Sequence, residues 1–415
     1  MSYQITLKSI LLLGAWLVAL DGIAADWPQW RGPRRDGISL ETGLLREWPS
    51  GGPPLVWKAK GLGAGYSSVA VVGDQIYTIG DTTDTSFVYA LNVKDGKQVW
   101  AAKLGKAGEL GGYAGPRSTP TVNGEYVFAL GQFGDLVCYE RKAGTELWRR
   151  SYVSDFAGGV PDWGFTESVL VDGENVICTP GGSRGAMVAL DKKTGKEAWR
   201  CKEFTDAAHY SSPIVAEIDG VRQYLQLTAQ SVVGVAAKDG KLLWRAKRSG
   251  HVAVVPTPIY SDNHVYVTSG YGTGCNLFKI TKEARSFSAS QVYANKVMVN
   301  HHGGAVLVGK HIYGHSDSKG WTCQDFKTGK AVWQEKNKLS KGSLVVAEGM
   351  LYCRQEDGNG TIALVEATPG GYKEHGRFAQ PDRSDHNSWP HPVISDGKLY
   401  VRDQDVLLCF DVRQK

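Results

Sequence analysis

The sequence predicts an all-β fold: an eight-bladed β-propeller of four-stranded antiparallel blades, closed by an N-terminal strand that completes the last blade. Three observations predict it. A tryptophan-ended unit recurs along the chain, a hairpin split by a turn glycine precedes each unit, and the two chain ends hold complementary parts of one unit.

The unit is visible in VYALNVKDGKQVW (88–100), LVCYERKAGTELW (136–148), MVALDKKTGKEAW (187–199), VVGVAAKDGKLLW (232–244) and WTCQDFKTGKAVW (321–333). Each has a β-rich run, a charged turn, a glycine (Gly96, Gly144, Gly195, Gly240, Gly329), and then a tryptophan (Trp100, Trp148, Trp199, Trp244, Trp333). The tryptophans are spaced by 48, 51 and 45 residues and then by 89, close to two units. NLFKITKEARSFSA (276–289) fills that gap without the glycine or the tryptophan, and 362–378 is another degenerate copy. The last copy, VLLCFDVRQK (406–415), stops before its tryptophan strand. PPLVWKAK (53–60), with Trp57, is a tryptophan strand without a preceding unit, so the two ends latch the ring.

Upstream of each unit lie stretches such as VAVVGDQIYTIG (69–80), PTVNGEYVFAL (120–130) and PVISDGKLYVRD (392–403). Alternating apolar residues broken by a glycine turn are a β-hairpin signal. Four strands per unit of ~45 residues, repeated radially, make a propeller. The turn glycine takes positive φ, and the tryptophan packs between neighbouring blades.

Composition agrees with many short strands: 51 Gly, 18 Tyr and 13 Trp in 415 residues. The net charge of +5 is scattered with no basic cluster, which argues against nucleic acid. Lys8, the apolar run Ile10–Leu20 and the small residues Gly22, Ala24 and Ala25 predict a signal peptide over 1–25. The mature chain is therefore expected in the periplasm or outside the cell, as a monomer with no membrane span after cleavage. With no cysteine before Cys138, a lipid anchor is not expected. Segment 26–52 is expected to pack on the propeller through Trp27 and Trp30, and 53–415 to form the propeller itself.

Seven cysteines include no CxxC, CxxCH or adjacent pair. Ten residues before each tryptophan the repeat reads Ala90, Cys138, Ala189, Gly234 and Cys323, and Cys409 holds the same column. A position that takes Ala, Gly or Cys is tight and buried, and cysteine there behaves as a small hydrophobe.

The DxxTGxxxW ending, whole in Asp191 to Trp199, resembles the tryptophan-docking repeat of the pyrroloquinoline-quinone (PQQ) propeller superfamily. DWPQWRGPRRDG (26–37), SGYGTGCN (269–276) and SWPHPV (388–393) resemble a group of secreted PQQ-like propeller proteins. The likeness runs from Trp57 to Val412. It implies a fold similar to BamB-type barrel-assembly scaffolds, which bind a protein partner through loops on one face, and to quinoprotein alcohol dehydrogenases, which use PQQ with calcium. The dehydrogenases' adjacent-cysteine disulfide is absent here. The expectation is an exported, non-catalytic scaffold or binding module that presents loops and a polar channel mouth to a protein or small ligand. The alternative is a PQQ-dependent oxidoreductase.

First strands of a propeller line its channel. Aligned on Gly73, Gly124, Gly173, Gly309, Gly349 and Gly397, the column six residues upstream reads Ser67, Ser118, Glu167, Gly303, Ser343 and His391. Beside it lie Tyr66, Arg117, Thr166, His302 and Trp389. Arg117, Glu167, His301, His302, His391 and Trp389 are thus the candidate ligand-binding residues at one mouth. They suit an anion or a divalent metal, or they satisfy strand-end backbone groups and channel water. Adjacent histidines on a strand point to opposite faces, so one of His301 and His302 is expected to face the channel unless Asn300 and Gly303-Gly304 break the strand. Arg117 is expected to attract an anion or to pair with Glu167.

Overall fold

The computed structural model describes residues 26–284 and 286–414; the expected signal segment 1–25 lies outside them. Four-stranded antiparallel sheets follow one another at 70–106, 121–151, 170–201, 214–247, 259–295, 305–335 and 342–378, here blades one to seven. Blade eight combines 393–411 with Leu55–Ala59. That early strand pairs antiparallel with Val406–Asp411 and sets Trp57 opposite Cys409, so strands from the two chain ends close the ring.

The repeat residues work between blades rather than within them. The Trp57 indole donates from Nε1 to the Val93 carbonyl of blade one at 2.9 Å, Trp100 to Arg141 of blade two at 3.0 Å, and Trp148 to Lys192 of blade three at 2.9 Å. Each ring lies on the turn glycine of the blade it reaches. A Cβ on Gly96, Gly144 or Gly195 would stand 2.6, 2.6 or 2.7 Å from the indole, and all three have φ near +70°. Glycine is therefore needed twice over, for φ and for space.

Blade five has no such tryptophan, and Tyr293 takes its place. Its ring sits over Gly329, and its hydroxyl donates to the Phe326 carbonyl at 2.9 Å. Trp244 faces blade five, whose turn lacks the glycine, and its Nε1 bonds instead to Gln223 Oε1 of its own blade at 2.8 Å.

Residues 26–39 run inside the ring. Trp27 exchanges backbone hydrogen bonds with Val71 of blade one, and Pro28 accepts from Val122 of blade two. Arg35 donates to the Ser168 carbonyl ahead of blade three, and Trp30 to Thr257 Oγ1 ahead of blade five. Arg31 donates to Ala305 of blade six at 2.6 Å. Ile38–Ser39 pairs parallel with the first strand of blade seven, Gly342–Ala347, and Ser39 reaches the Ile394 carbonyl of blade eight. A segment this short can touch seven blades only from the axis. It supplies partners for the inner edges of the first strands, which would otherwise face the channel unpaired. The segment turns at Gly32, against which the Trp27 ring packs, and thereby carries Trp30 toward one mouth.

Candidate functional site

The loops leading into the first strands end at that mouth. Tyr66, Arg117, Thr166, Tyr210, Val255, His301 and Trp389 each stand four residues ahead of a first strand, one from every blade except blade seven. All seven line one open cavity of about 940 Å³.

The walls are aromatic. Trp389 lies with its ring centroid 4.6 Å from those of Tyr66 and Tyr113, and its Nε1 donates to Glu356 Oε2 at 3.0 Å. The Lys341 ammonium holds the other oxygen of Glu356 at 3.1 Å. Trp163 and Tyr210 meet edge to face at 5.8 Å, and Tyr271 meets His301 the same way at 4.7 Å. At the base, Trp30 from the threaded segment lies 4.5 Å from His391.

Among the described residues that line these walls, Arg117 is the one permanently charged side chain, and none is a carboxylate. Its guanidinium donates to the carbonyls of Tyr113, Gly115 and Leu110 at 3.0, 3.1 and 3.3 Å and lies over the Tyr66 ring. Its Nε is buried without a partner, and burial lowers its pKa from the ordinary arginine value. The imidazoles are neutral at pH 7. Burial, aided by Lys341, holds His301 down to about 4. Burial takes His391 to about 3 and His302 well below its usual range. His391 Nε2 lies 3.0 Å from the His302 carbonyl. His302 Nε2 comes within 3.2 Å of Glu356 Oε2 but is not aligned for a hydrogen bond, and with a neutral ring the contact is no ion pair.

Of the candidates read from the sequence, Arg117, His301, His302, His391 and Trp389 meet at this cavity. Glu167 does not line it. Ser67, Ser118 and Glu167, each one residue after a mouth residue, are buried and do not line the cavity, whereas His391 of the same column does. Glu167 accepts from the Tyr152 hydroxyl and the Thr179 amide, both at 2.6 Å, and burial raises its pKa. Its opposing charge is Arg35 of the threaded segment, so the expected Arg117–Glu167 pair does not form.

His301 and His302 both face the cavity, contrary to strand alternation. The first strand of blade six begins only at Ala305, and Gly304 has φ of +73°. Asn300 Nδ2 ties the bend by donating to the carbonyls of Gly304 and His315, both at 2.9 Å. The rings lie 5.2 Å apart. No group of three or more His, Cys, Asp or Glu side chains among the described residues is arranged to hold a metal ion. Trp30, Tyr113, Trp163, Tyr210 and Tyr271 were not legible as cavity residues from sequence. The signal for Tyr210 was its place four residues before a strand, obscured because the longer first strand of blade four, Ile214–Ile218, moves its turn glycine, Gly220, out of the alignment.

The family model described as outer membrane protein assembly factor BamB matches residues 84–335, which span blades one to six. The chain belongs to this family. Among curated relatives, the BamB of Kangiella koreensis is 27% identical over 195 residues, 44% of this chain and 43% of that protein. The quinohemoprotein alcohol dehydrogenase ADH-IIG of Pseudomonas putida is 33% identical over 156 residues, 35% of this chain and 21% of that protein. The chain thus spans less than half the length of the curated relatives it matches. Among solved structures, BamB from Moraxella catarrhalis superposes with a TM-score of 0.59 at 13% identity, covering 86% of this chain and 99% of that one. Quinohemoprotein alcohol dehydrogenase from Comamonas testosteroni gives 0.64 at 12% identity, covering 94% and 81%. These likenesses establish the BamB-type propeller fold, which both scaffolds and quinoproteins share.

Proposed function

We propose that the protein is an exported binding module that takes a small ligand with flat ring faces into its channel mouth, performs no chemistry on it, and offers the surrounding loops to a protein partner. The observation that carries this reading is the aromatic cavity closed at its base by Trp30. A concave, mostly apolar site with few convergent polar groups is the usual form of a small-molecule site. Two features favour binding over catalysis. The Thr166 hydroxyl donates to the Tyr210 carbonyl and Ser212 Oγ accepts from the Ser168 amide, so neither is paired with an imidazole as a nucleophile. The imidazoles, moreover, are packed against rings and backbone.

A quinoprotein dehydrogenase is the alternative that the relatives suggest. Calcium takes roughly six to eight oxygen ligands, chiefly carboxylate, carbonyl and water. The cavity walls carry imidazoles, rings and one guanidinium, and these residues do not fit a calcium-held quinone.

The test is a panel of neutral, anionic and cationic ring compounds titrated against the purified protein, followed by tryptophan fluorescence. Trp389→Ala is run in parallel. Saturable binding that Trp389→Ala weakens by about tenfold or more supports the site. If no compound of any charge binds, or Trp389→Ala leaves every affinity unchanged, the site reading fails. PQQ with Ca²⁺ belongs in the same panel, and dye-linked alcohol oxidation by that mixture would establish the alternative. For the partner, stoichiometric capture of a protein by the exported chain is expected, and a chain that stays wholly free refutes that part.

A further inference from the structure

Resting on the reading of the mouth as a small-ligand site, the wall chemistry identifies the ligand class. We infer that the cavity takes a cyclic monoanion, a small carboxylic acid built on one or two rings, with its carboxylate at Arg117 and its ring between the aromatic walls.

The argument is an inventory of what the walls leave available. Several polar atoms lining the cavity are already engaged inside the protein. Trp30 Nε1 is given to Thr257, Trp389 Nε1 to Glu356, the Thr166 hydroxyl to Tyr210, and His391 Nε2 to the His302 carbonyl. What remains toward a ligand includes the charge of Arg117, whose terminal nitrogens also donate to three carbonyls, the His301 and His302 rings and the rim tyrosines Tyr113 and Tyr271. One full charge is therefore on offer. Arg117 has no ion pair among the described residues; backbone carbonyls fix it, and carbonyls orient a cation without neutralising it. A partly buried, unpaired cation is costly, and a bound anion relieves that cost through a charge-assisted hydrogen bond.

The same inventory excludes other classes. Aromatic walls alone would suit a quaternary ammonium, but the Arg117 guanidinium on the wall repels a cation. A neutral ring or polyol can use the hydroxyls and imidazole nitrogens of the walls, but it leaves the Arg117 charge unmet. A polyanion would bring charges with one guanidinium to meet them. The imidazoles add hydrogen bonds and no charge, since His301 stays neutral above about pH 4. A single negative charge on a ring-faced molecule satisfies all of these limits together.

The acid can come from two sources, an aromatic carboxylate or a sugar acid, and the experiment separates them. Purified protein is titrated with 4-hydroxybenzoate and its neutral twin 4-hydroxybenzamide, with D-glucuronate and its neutral twin D-glucose, and with benzyltrimethylammonium. At low salt, one acid should bind at least about tenfold tighter than its twin. The advantage should shrink in roughly 0.5 M salt, because screening shortens the reach of the charge. Arg117→Gln should reduce that advantage to about threefold or less. Which pair shows the effect names the source. The twin comparison and its salt dependence need only the native protein, so a poorly folding variant does not decide the matter. The inference is overturned if the neutral twins bind as well as the acids, if the ammonium binds tightest, or if neither acid binds at about 10 mM. Binding of neutral rings alone would leave the site standing and remove only the ligand class, whereas silence of every ring compound removes the site itself.

Discussion

The Trp30 indole lies 4.5 Å from the His391 imidazole, the one near the start of the chain and the other from the link into the last blade. Trp30 is anchored through its Nε1 to Thr257, and His391 through its Nε2 to the His302 carbonyl, so three blades and the threaded segment meet at the base of the mouth. The cavity is thus closed by a residue that belongs to no blade.

Removing that residue should deepen the cavity more than it weakens the fold. Trp30→Ala, half-buried in the native protein, is expected to cost about 1–3 kcal/mol, and Trp27→Ala, 3% exposed, about 3–5 kcal/mol. Urea denaturation of both variants checks the order. Ring ligands should bind Trp30→Ala with altered affinity and Trp27→Ala as the native protein does, provided it is folded.

Blade docking predicts a contrast between two glycines of similar φ. Gly195 has φ of +67° with the Trp148 indole 2.7 Å from where a Cβ would sit, while Gly124 has φ of +59° and nothing within 4 Å. Gly124→Ala should cost about 1 kcal/mol from backbone strain alone. Gly195→Ala should cost about 2–4 kcal/mol, because the indole must also move. Equal losses in chemical denaturation would mean that docking adds nothing.

The buried imidazole of His391 makes stability depend on pH in a fixed direction. Its folded-state pKa of about 3 lies below the ordinary value near 6.5, so the unfolded chain binds the proton first. Its contribution is complete above about pH 6.5 and is lost as pH falls toward about 3. His391→Gln removes this dependence. The stability gap between native protein and variant should therefore narrow or reverse between pH 7 and pH 4.5, and parallel pH profiles would contradict it.

All seven cysteines are buried and free, and burial pushes Cys138 and Cys409 up to about 12 and Cys201 and Cys323 to about 11. A thiol so held is both hidden and un-ionised. The native protein should give no thiol signal with a disulfide reagent over minutes, and all seven should react in guanidinium. Rapid labelling of the native state would show that these sites open.

The blades were legible because each repeat carries its own local reason to fold as it does. The Asp191 carboxylate accepts from the amide and hydroxyl of Thr194, Gly195 turns with positive φ, and Trp199 follows at fixed distance, so a few adjacent residues specify a hairpin end. Even the degenerate blade five kept its spacing: Tyr293 stands 49 residues after Trp244 and fills the tryptophan's role. The site was legible in part for the same reason. Arg117, His301 and Trp389 occupy a repeat column four residues ahead of a strand, while Glu167, one residue after that column, is buried and does not line the cavity.

By itself the sequence determined the number of blades, their closure by Trp57 beside Cys409, and the ring of loops that opens on one mouth. These follow from short-range, repeated interactions. The threading of residues 26–39 through the axis, the placement of Trp30 beneath the cavity and the gathering of rings around one guanidinium were decided only by tertiary structure. The inner edges of eight first strands present hydrogen-bonding groups to the axis, and which segment satisfies them is a long-range choice that no repeat period records.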